Sequence, residues 1–332
     1  MAETRLTNVV VPSVFTDYTL EPSIYRSRLW NAGIISVNPE ISGLLAGGGK
    51  SYNLPFWADV TGTSGDIPVE ASAQTINAVT ANDQVFRKQF RTKAWGQNAL
   101  ALSQAGSSPL ESAVARVNDY WAQAYEKIAI ATIEGVVADD VANDSNAITN
   151  DITGGVGAAA IISDGAVIDT QAKLGENGAV RMDGIGEFAA IVLHPATYAY
   201  LRKQDLIDFV PISEQERPVE FYLGMRVIVT RNAPVDTGDY DTYLLKAGAI
   251  QYGVTSEGYE PTEIYREPGQ GFGIDQFFTR RVFAIHPVGY EWLEGSVAGA
   301  SPTDAELATA ANWSKVFNAE ATGIVCLKHK LA

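Results

Sequence analysis

The chain has 332 residues with 39 acidic against 24 basic side chains, a net charge of −15, so as a whole it is not built to grip nucleic acid or an anionic membrane surface. Its apolar fraction of 46% and charged fraction of 19% are those of an ordered globular protein, long enough to bury a large core in one domain or two. Cys326 is the single cysteine, which rules out a disulfide within one chain and suits synthesis in the cytosol.

The N-terminus, "MAETRLTNVVVPS", lacks the charged-then-apolar pattern of a signal peptide. Residues 1–47 carry little periodic signal. "VVVPSVFTDYTLEP", with Pro12 and Pro22 beside apolar residues, reads as an extended arm, and "SIYRSRLWNAGII" has room for one short helix. An arm of this kind has no core of its own. Val9, Val10, Val11 and Phe15 are therefore expected to pack on a neighbouring subunit.

"GLLAGGGKSY", Gly43–Tyr52, looks like the end of a phosphate-binding loop, where glycines let the backbone approach, a lysine meets the phosphates and a hydroxyl holds magnesium. The spacing fails, because Leu44 stands where the first glycine belongs. The context fails too. "NPEIS" upstream reads as a turn rather than a buried strand, and "YNLPFW" downstream alternates like a strand and holds Pro55. Gly47, Gly48 and Gly49 are expected instead to be a flexible hinge before a strand.

Residues 50–95 read as one long excursion. "KSYNLPFWADV" leaves as a strand, a tip rich in Gly, Ser and Asn follows, and "VFRKQFRTKAW" returns with Phe86 and Phe90 on one face. A lone two-stranded ribbon is marginal in water, so it needs a surface to lie on. The returning strand carries Arg87, Lys88, Arg91 and Lys93 within seven residues. Two readings stay open: a solvated edge strand guarded by charge, or a strip that docks on acidic surface of an adjacent subunit.

"SSPLESAVARVNDYWAQAYEKIAIATIEGVV" carries the strongest local signal, with Ser108 as N-cap, Pro109 at the first helical position and Glu111 closing a capping box. Leu110, Val114, Val117, Trp121, Ala124, Ile128 and Ala131 share one face, while Arg116, Asp119, Glu126 and Lys127 fall elsewhere. A run to about Val137 predicts a helix of about 40 Å. Its apolar stretch "IAIATIEGVVA" is short and broken by Glu134, so no membrane span is predicted. In the loop that follows, Asp139, Asp140, Asp144 and Asp151 lack the spacing of a calcium loop. Further on, "AAIISDGAVIDTQAKLG" and "PATYAYLRKQDL" read as helices, the second opened by Pro195. "FAAIVLHP", "GMRVIVTRN", "TYLLKAGAIQYGV", "TEIYRE" and "QFFTRRVFAIHPVGYEWL" read as strands. The class is mixed α+β without a regular βαβ series.

Little in the chain points to catalysis. His194 and His286 each precede a proline at a strand end and His329 lies in the tail, so structural roles are expected and no transition-metal spacing exists. No Gly-x-Ser-x-Gly elbow occurs. "GQGFG", Gly269–Gly273, runs into a strand, so the helix amides of a dinucleotide loop are missing. No cofactor and no metal is expected, and an enzyme is the weaker hypothesis.

Arm, ribbon, long helix and mixed domain, in that order, resemble a major capsid protein of tailed bacteriophages, the Hong Kong-97 shell fold. The resemblance rests on "VVVPSVFTDYTLEPS", "SYNLPFWADVTGTSGDIPVE", "VFRKQFRTKAWG" and "SAVARVNDYWAQAYEKIAI". It continues through "FAAIVLHPATYAYLRKQDLIDFV", "YLGMRVIVTRNAPV" and the tail "ANWSKVFNAEATGIVCLKHK". It implies an N-terminal arm (1–47), an extended elbow loop (48–96), a peripheral domain on a spine helix (97–155 with 268–332) and an axial domain (156–267). It also implies hexamers and pentamers of this chain in an icosahedral shell. That shell encloses double-stranded DNA without reading its sequence, and the virion is assembled in the bacterial cytoplasm. Portal, scaffold and decoration proteins would be further partners, and the scaffold is expected to be a separate protein or a segment already removed.

The glycine hinge would let the elbow swing as the shell matures. The tip "TGTSGDIPVEASAQ" has no lysine, so the covalent crosslinks of some family members are not expected. A net acidic wall suits a container that must release its DNA. The alternative is an encapsulin-like nanocompartment, which shares the fold and encloses a cargo enzyme.

Overall fold

The structure, a computed structural model, describes residues 29–331 except 31, 59, 61–76, 106, 176–187, 211–218, 257, 270 and 271. The first half contains β1 (Ile35–Val37), α1 (Pro39–Leu45), β2 (Ser51–Trp57), β3 (Ala81–Arg87), β4 (Gln89–Asn98), α2 (Ala99–Ala105), α3 (Pro109–Asn143) and β5 (Thr149–Asp151). Next come α4 (Asp164–Gln171), β6 (Phe188–Leu193), α5 (Pro195–Lys203), β7 (Asp208–Val210), β8 (Val219–Tyr222), β9 (Met225–Val229), β10 (Val235–Asp236) and β11 (Asp239–Lys246). The last third adds β12 (Ile250–Thr255), β13 (Thr262–Glu267), β14 (Ile274–Pro287), β15 (Tyr290–Trp292), α6 (Asp304–Leu307), β16 (Trp313–Lys315) and β17 (Ile324–Lys330).

Two mixed sheets share one core. The first is organised by β14, which pairs with β4 along one side and with β13 and then β12 along the other. β1 adds to β12 in parallel. The second has the order β5-β17-β11-β6-β9-β8-β7, with β10 on β11. Ile128, Ile133 and Val136 of α3 join Ile191, Tyr243, Phe283 and Val325 from both sheets in one apolar cluster. Burial on this scale, about 1.5–3 kcal/mol for each large side chain, drives the fold.

The sheets cut across the expected domain boundaries. "TYLLKAGAIQYGV" is two strands, because a turn with Gly248 at φ +72 sends β11 into one sheet and β12 into the other. β12 and β13 fall in the 156–267 stretch yet lie in the β14 sheet, and the tail strand β17 lies between β5 and β11 in the other. The boundary at 267/268 therefore does not follow the architecture.

"NPEIS" opens a helix, correcting the turn read from it. Asn38 accepts the Glu40 N–H at 2.9 Å and Pro39 sits in the first turn. α1 lies on β12 at Gly253, where a Cβ would stand 2.5 Å from Ile41 Cγ2. Ile34, Ile35, Ile41 and Leu45 are buried. The described residues up to 47 thus belong to the body, which shortens the expected arm of 1–47.

α3 runs 35 residues, about 52 Å, past the expected end at Val137. Ser108 caps it by accepting the Glu111 N–H at 3.2 Å, and Gln97 Oε1 accepts the Leu110 N–H at 3.0 Å. Val114 is exposed. Glu126, expected off the apolar face, is buried and accepts the Thr230 hydroxyl at 2.7 Å. At the far end the Asp140 carboxylate accepts the Ile148 N–H at 3.1 Å, Asp139 accepts from Asn143 at 2.7 Å, and Asp144 pairs with Lys315 at 3.2 Å. Asp151 turns back onto the Thr153 N–H at 2.9 Å. Asp139, Asp140 and Asp151 close local structure, and Asp144 is taken by Lys315 of the distant strand β16.

Candidate assembly interface

Gly47, Gly48 and Gly49 join α1 to the ribbon β2–β3, and Gly49 takes φ +135, a backbone state that side chains disfavour. The hinge carbonyls are occupied. Lys88 Nζ donates to Leu45 O at 2.6 Å and to Gly47 O at 3.1 Å, and Tyr52 Oη donates to Gly47 O at 2.6 Å. One layer on, Lys50 O accepts the Lys88 N–H at 2.9 Å and Arg87 Nη1 at 2.8 Å. Strand β2 begins directly at Ser51, so no helix N-terminus stands where a phosphate would bind.

The ribbon lies on its own C-terminal layer. Tyr52, Leu54 and Phe56 are half-buried, while Asn53, Pro55 and Trp57 on the other face range from exposed to strongly exposed. Phe56 meets Phe317 edge-on at 4.7 Å. Gln84 of β3 accepts the Gly289 N–H at 3.1 Å and lies 3.4 Å from His286 Nε2. Farther out Trp57, Val60 and Val79 are exposed, so the outermost described part of the ribbon presents apolar surface.

The returning strand breaks at Lys88 into β3 and β4, and this break separates two rings expected on one face. Phe86 is buried and stacked on Tyr52 at 5.4 Å, whereas Phe90 is exposed. The basic strip is also largely engaged inside the chain. Arg87 is only 4% exposed; its Nε lies 2.7 Å from Glu294 Oε1 and its Nη2 donates to Ala300 O at 2.9 Å. Arg91 holds Ser301 Oγ at 2.9 Å and Asp304 at 3.3 Å, and Lys127 takes the second Asp304 oxygen at 3.1 Å. Lys88 holds the hinge. Lys93, exposed, has its ammonium 5.9 Å from the Tyr120 ring centre. Arg87 therefore has no face left for a neighbour, which corrects the docking strip at that position. Val9, Val10, Val11 and Phe15 lie outside the described residues.

The histidines have structural surroundings. Burial holds the pKa of His286 and of His329 down to about 4. His329 is 3.0 Å from Thr242 Oγ1, and His194 caps α5 by accepting the Ala196 N–H at 3.2 Å. Of "GQGFG", the described residues Gly269, Phe272 and Gly273 lie between β13 and β14, and Gly273 has φ +107. Among the described residues no group of three or more His, Cys, Asp or Glu could hold a metal, and no helix is long and apolar enough to cross a membrane. Sequence reasoning missed Glu294, Ala300 and Gln84. Their partners lie more than 200 residues away, and no local pattern marks them.

Residues 99–294 match the family model described as phage capsid protein. The chain is 33% identical over 341 residues to the major capsid protein of Bacillus phage SPP1, covering 100% of this chain and 99% of that one. Its fold is similar to the capsid of Ralstonia phage GP4, with a TM-score of 0.61 at 9% identity over 97% of this chain and 96% of that one. It is also similar to the holo-SrpI encapsulin complex from Synechococcus elongatus, with a TM-score of 0.51 at 8% identity over 95% and 91% of the two chains. Fold alone does not separate a phage shell from an encapsulin; identity over the full length to a phage protein does.

Proposed function

The chain belongs to the phage capsid protein family, and from that premise we propose how a subunit of this shape serves the head. It is a major capsid protein, a structural component of the virion whose copies form an icosahedral shell. The observation that carries this is the 33% identity along the whole chain to a phage major capsid protein.

In the finer reading the ribbon β2–β3 is the elbow loop of the Hong Kong-97 fold, and α3 is its spine helix. The β14 sheet with α3 forms the peripheral part, and the β17–β11–β6 sheet the axial part. Support comes from the order of elements and from the ribbon, which is anchored at its base and apolar at its outermost described part. Val9, Val10, Val11 and Phe15 pack on a neighbouring subunit, and exposed Trp57 and Lys93 meet another copy. Hexamers and pentamers close the shell in the bacterial cytoplasm around double-stranded DNA, which a chain of net charge −15 does not grip tightly. Portal, scaffold and decoration proteins are its further partners. Residues 61–74 contain no lysine, so the shell holds without covalent crosslinks at that tip.

Electron microscopy and content analysis of purified particles test the reading. Closed shells holding DNA or a portal are expected. Shells filled with a cargo enzyme would replace the phage reading with the nanocompartment.

A further inference from the structure

A joint in a two-stranded ribbon has to yield on both strands. The outgoing strand has Gly47–Gly49, and the returning strand breaks at Lys88, between β3 and β4. These two points face each other, since the Lys88 N–H donates to Lys50 O at 2.9 Å. The C-terminal carbonyls of a helix lack intrahelical partners and attract cations. At the end of α1 that cation is Lys88, with Nζ 2.6 Å from Leu45 O and 3.1 Å from Gly47 O. α1 is fixed to the body, because Gly253 lets Ile41 settle directly on β12. The Lys88 bonds therefore run between the ribbon and the body.

The neighbouring cation has a different character. Arg87 is buried and bound to Lys50 O, Ala300 O and Glu294. Moving it would strip a guanidinium of several partners in a water-poor site, which is costly. Lys88 is half-buried, and water can replace the carbonyls it leaves. One cation is suited to stay and the other to let go.

We propose that the base of the ribbon is a pivot and latch: Arg87 anchors it to the 294–300 loop, and the Lys88 ammonium, with the Tyr52 hydroxyl, locks the glycine hinge by holding the Leu45 and Gly47 carbonyls. The glycines permit the ribbon to swing, and Lys88 sets its resting angle. Swinging breaks the Lys88 and Tyr52 bonds together with the contacts farther out, Phe56 on Phe317 and Gln84 on the Gly289 N–H, and leaves the Arg87 anchor in place.

The latch is tested by hydrogen exchange on the full-length protein. In Lys88→Met the stem is kept and the ammonium lost; the bonded amides at the joint, Gly47 and Lys88, are expected to exchange about tenfold faster, the factor for losing one to two hydrogen bonds of ordinary net strength. Amides of β6, β11 and β17 should keep their native rates. Lys88→Arg should restore most of the protection, and Tyr52→Phe should give a smaller acceleration at the same amides. Native rates at the Gly47 and Lys88 amides in Lys88→Met would overturn the latch, and so would an acceleration that spreads equally to β11 and β17. That the swing matters in a shell rests on the elbow reading above. Exchange reads the latch whether or not shells form, so the two ideas fail separately.

Discussion

Gly135→Ala sets helix propensity directly against packing. In an exposed helix this change gains about 1 kcal/mol, because glycine loses more backbone freedom on folding. At Gly135 the added Cβ would stand 2.0 Å from the Leu307 carbonyl oxygen and 2.5 Å from Trp313 Nε1. Ordinary contact begins at 3.4 Å, so Leu307 must retreat by 3.4 − 2.0, about 1.4 Å. Leu307 cannot do so freely. Its carbonyl accepts the Trp313 indole N–H at 2.7 Å, and its short helix α6 is tied by the Thr303–Glu306 capping box. Overpacking costs about 1–3 kcal/mol and a buried unpaired indole N–H about 1–3 more. Less the propensity gain, the net loss is about 3 kcal/mol, within about 1–5. Urea unfolding of the full-length protein, with the free energy from linear extrapolation, measures it. A Gly135→Ala protein as stable as the native one would refute the close approach of α3 to Leu307 and Trp313.

Arg87→Glu should destabilise the subunit itself by about 3–5 kcal/mol, since a buried carboxylate would face Glu294 and two carbonyl oxygens; a native thermal melt would show that the site can open to water. Acid should destabilise the fold between about pH 6.5 and pH 4. His286 and His329 stay neutral in the folded chain down to about 4 but protonate near 6.5 once unfolded. Their contribution is complete above pH 6.5 and falls by up to about 3 kcal/mol each as the pH drops to 4. Burial raises the pKa of Glu134, Asp139 and Asp241, and these groups oppose the trend by binding protons first in the folded state. A His286→Gln, His329→Gln double variant should flatten the pH–stability curve in that window, and an unchanged slope would remove the histidines from the explanation. Deleting residues 2–20 should leave thermal unfolding close to native but cut the yield of closed shells by sedimentation; loss of the melt would place that segment in the subunit's own core.

The elements with local signals were legible. Ser108–Pro109 marks the start of α3, Pro195 the start of α5, and alternation marks β2. The Asn38–Pro39 cap of α1 is the same kind of signal, but it was hidden by the glycines just beyond it. Partner choice was not legible. Nothing near Lys246–Ala249 says that β11 and β12 enter different sheets, because that depends on strands brought in from 274–287 and 324–330. The cluster Arg87, Lys88, Arg91 and Lys93 was visible as charge, but its use was not. The groups that take up Arg87 and Arg91 lie in the 294–304 segment, and only the folded chain brings them within bonding distance.

In the proposed assembly, copies of this chain close a shell through the arm and the ribbon. Cryo-electron microscopy of particles assembled from the full-length protein tests it most directly. Closed icosahedral shells of hexamers and pentamers are expected, with residues 1–20 and the outer ribbon around Trp57 lying on neighbouring subunits. Closed shells in which both segments touch only their own subunit, or a protein that stays monomeric under every assembly condition, would contradict it.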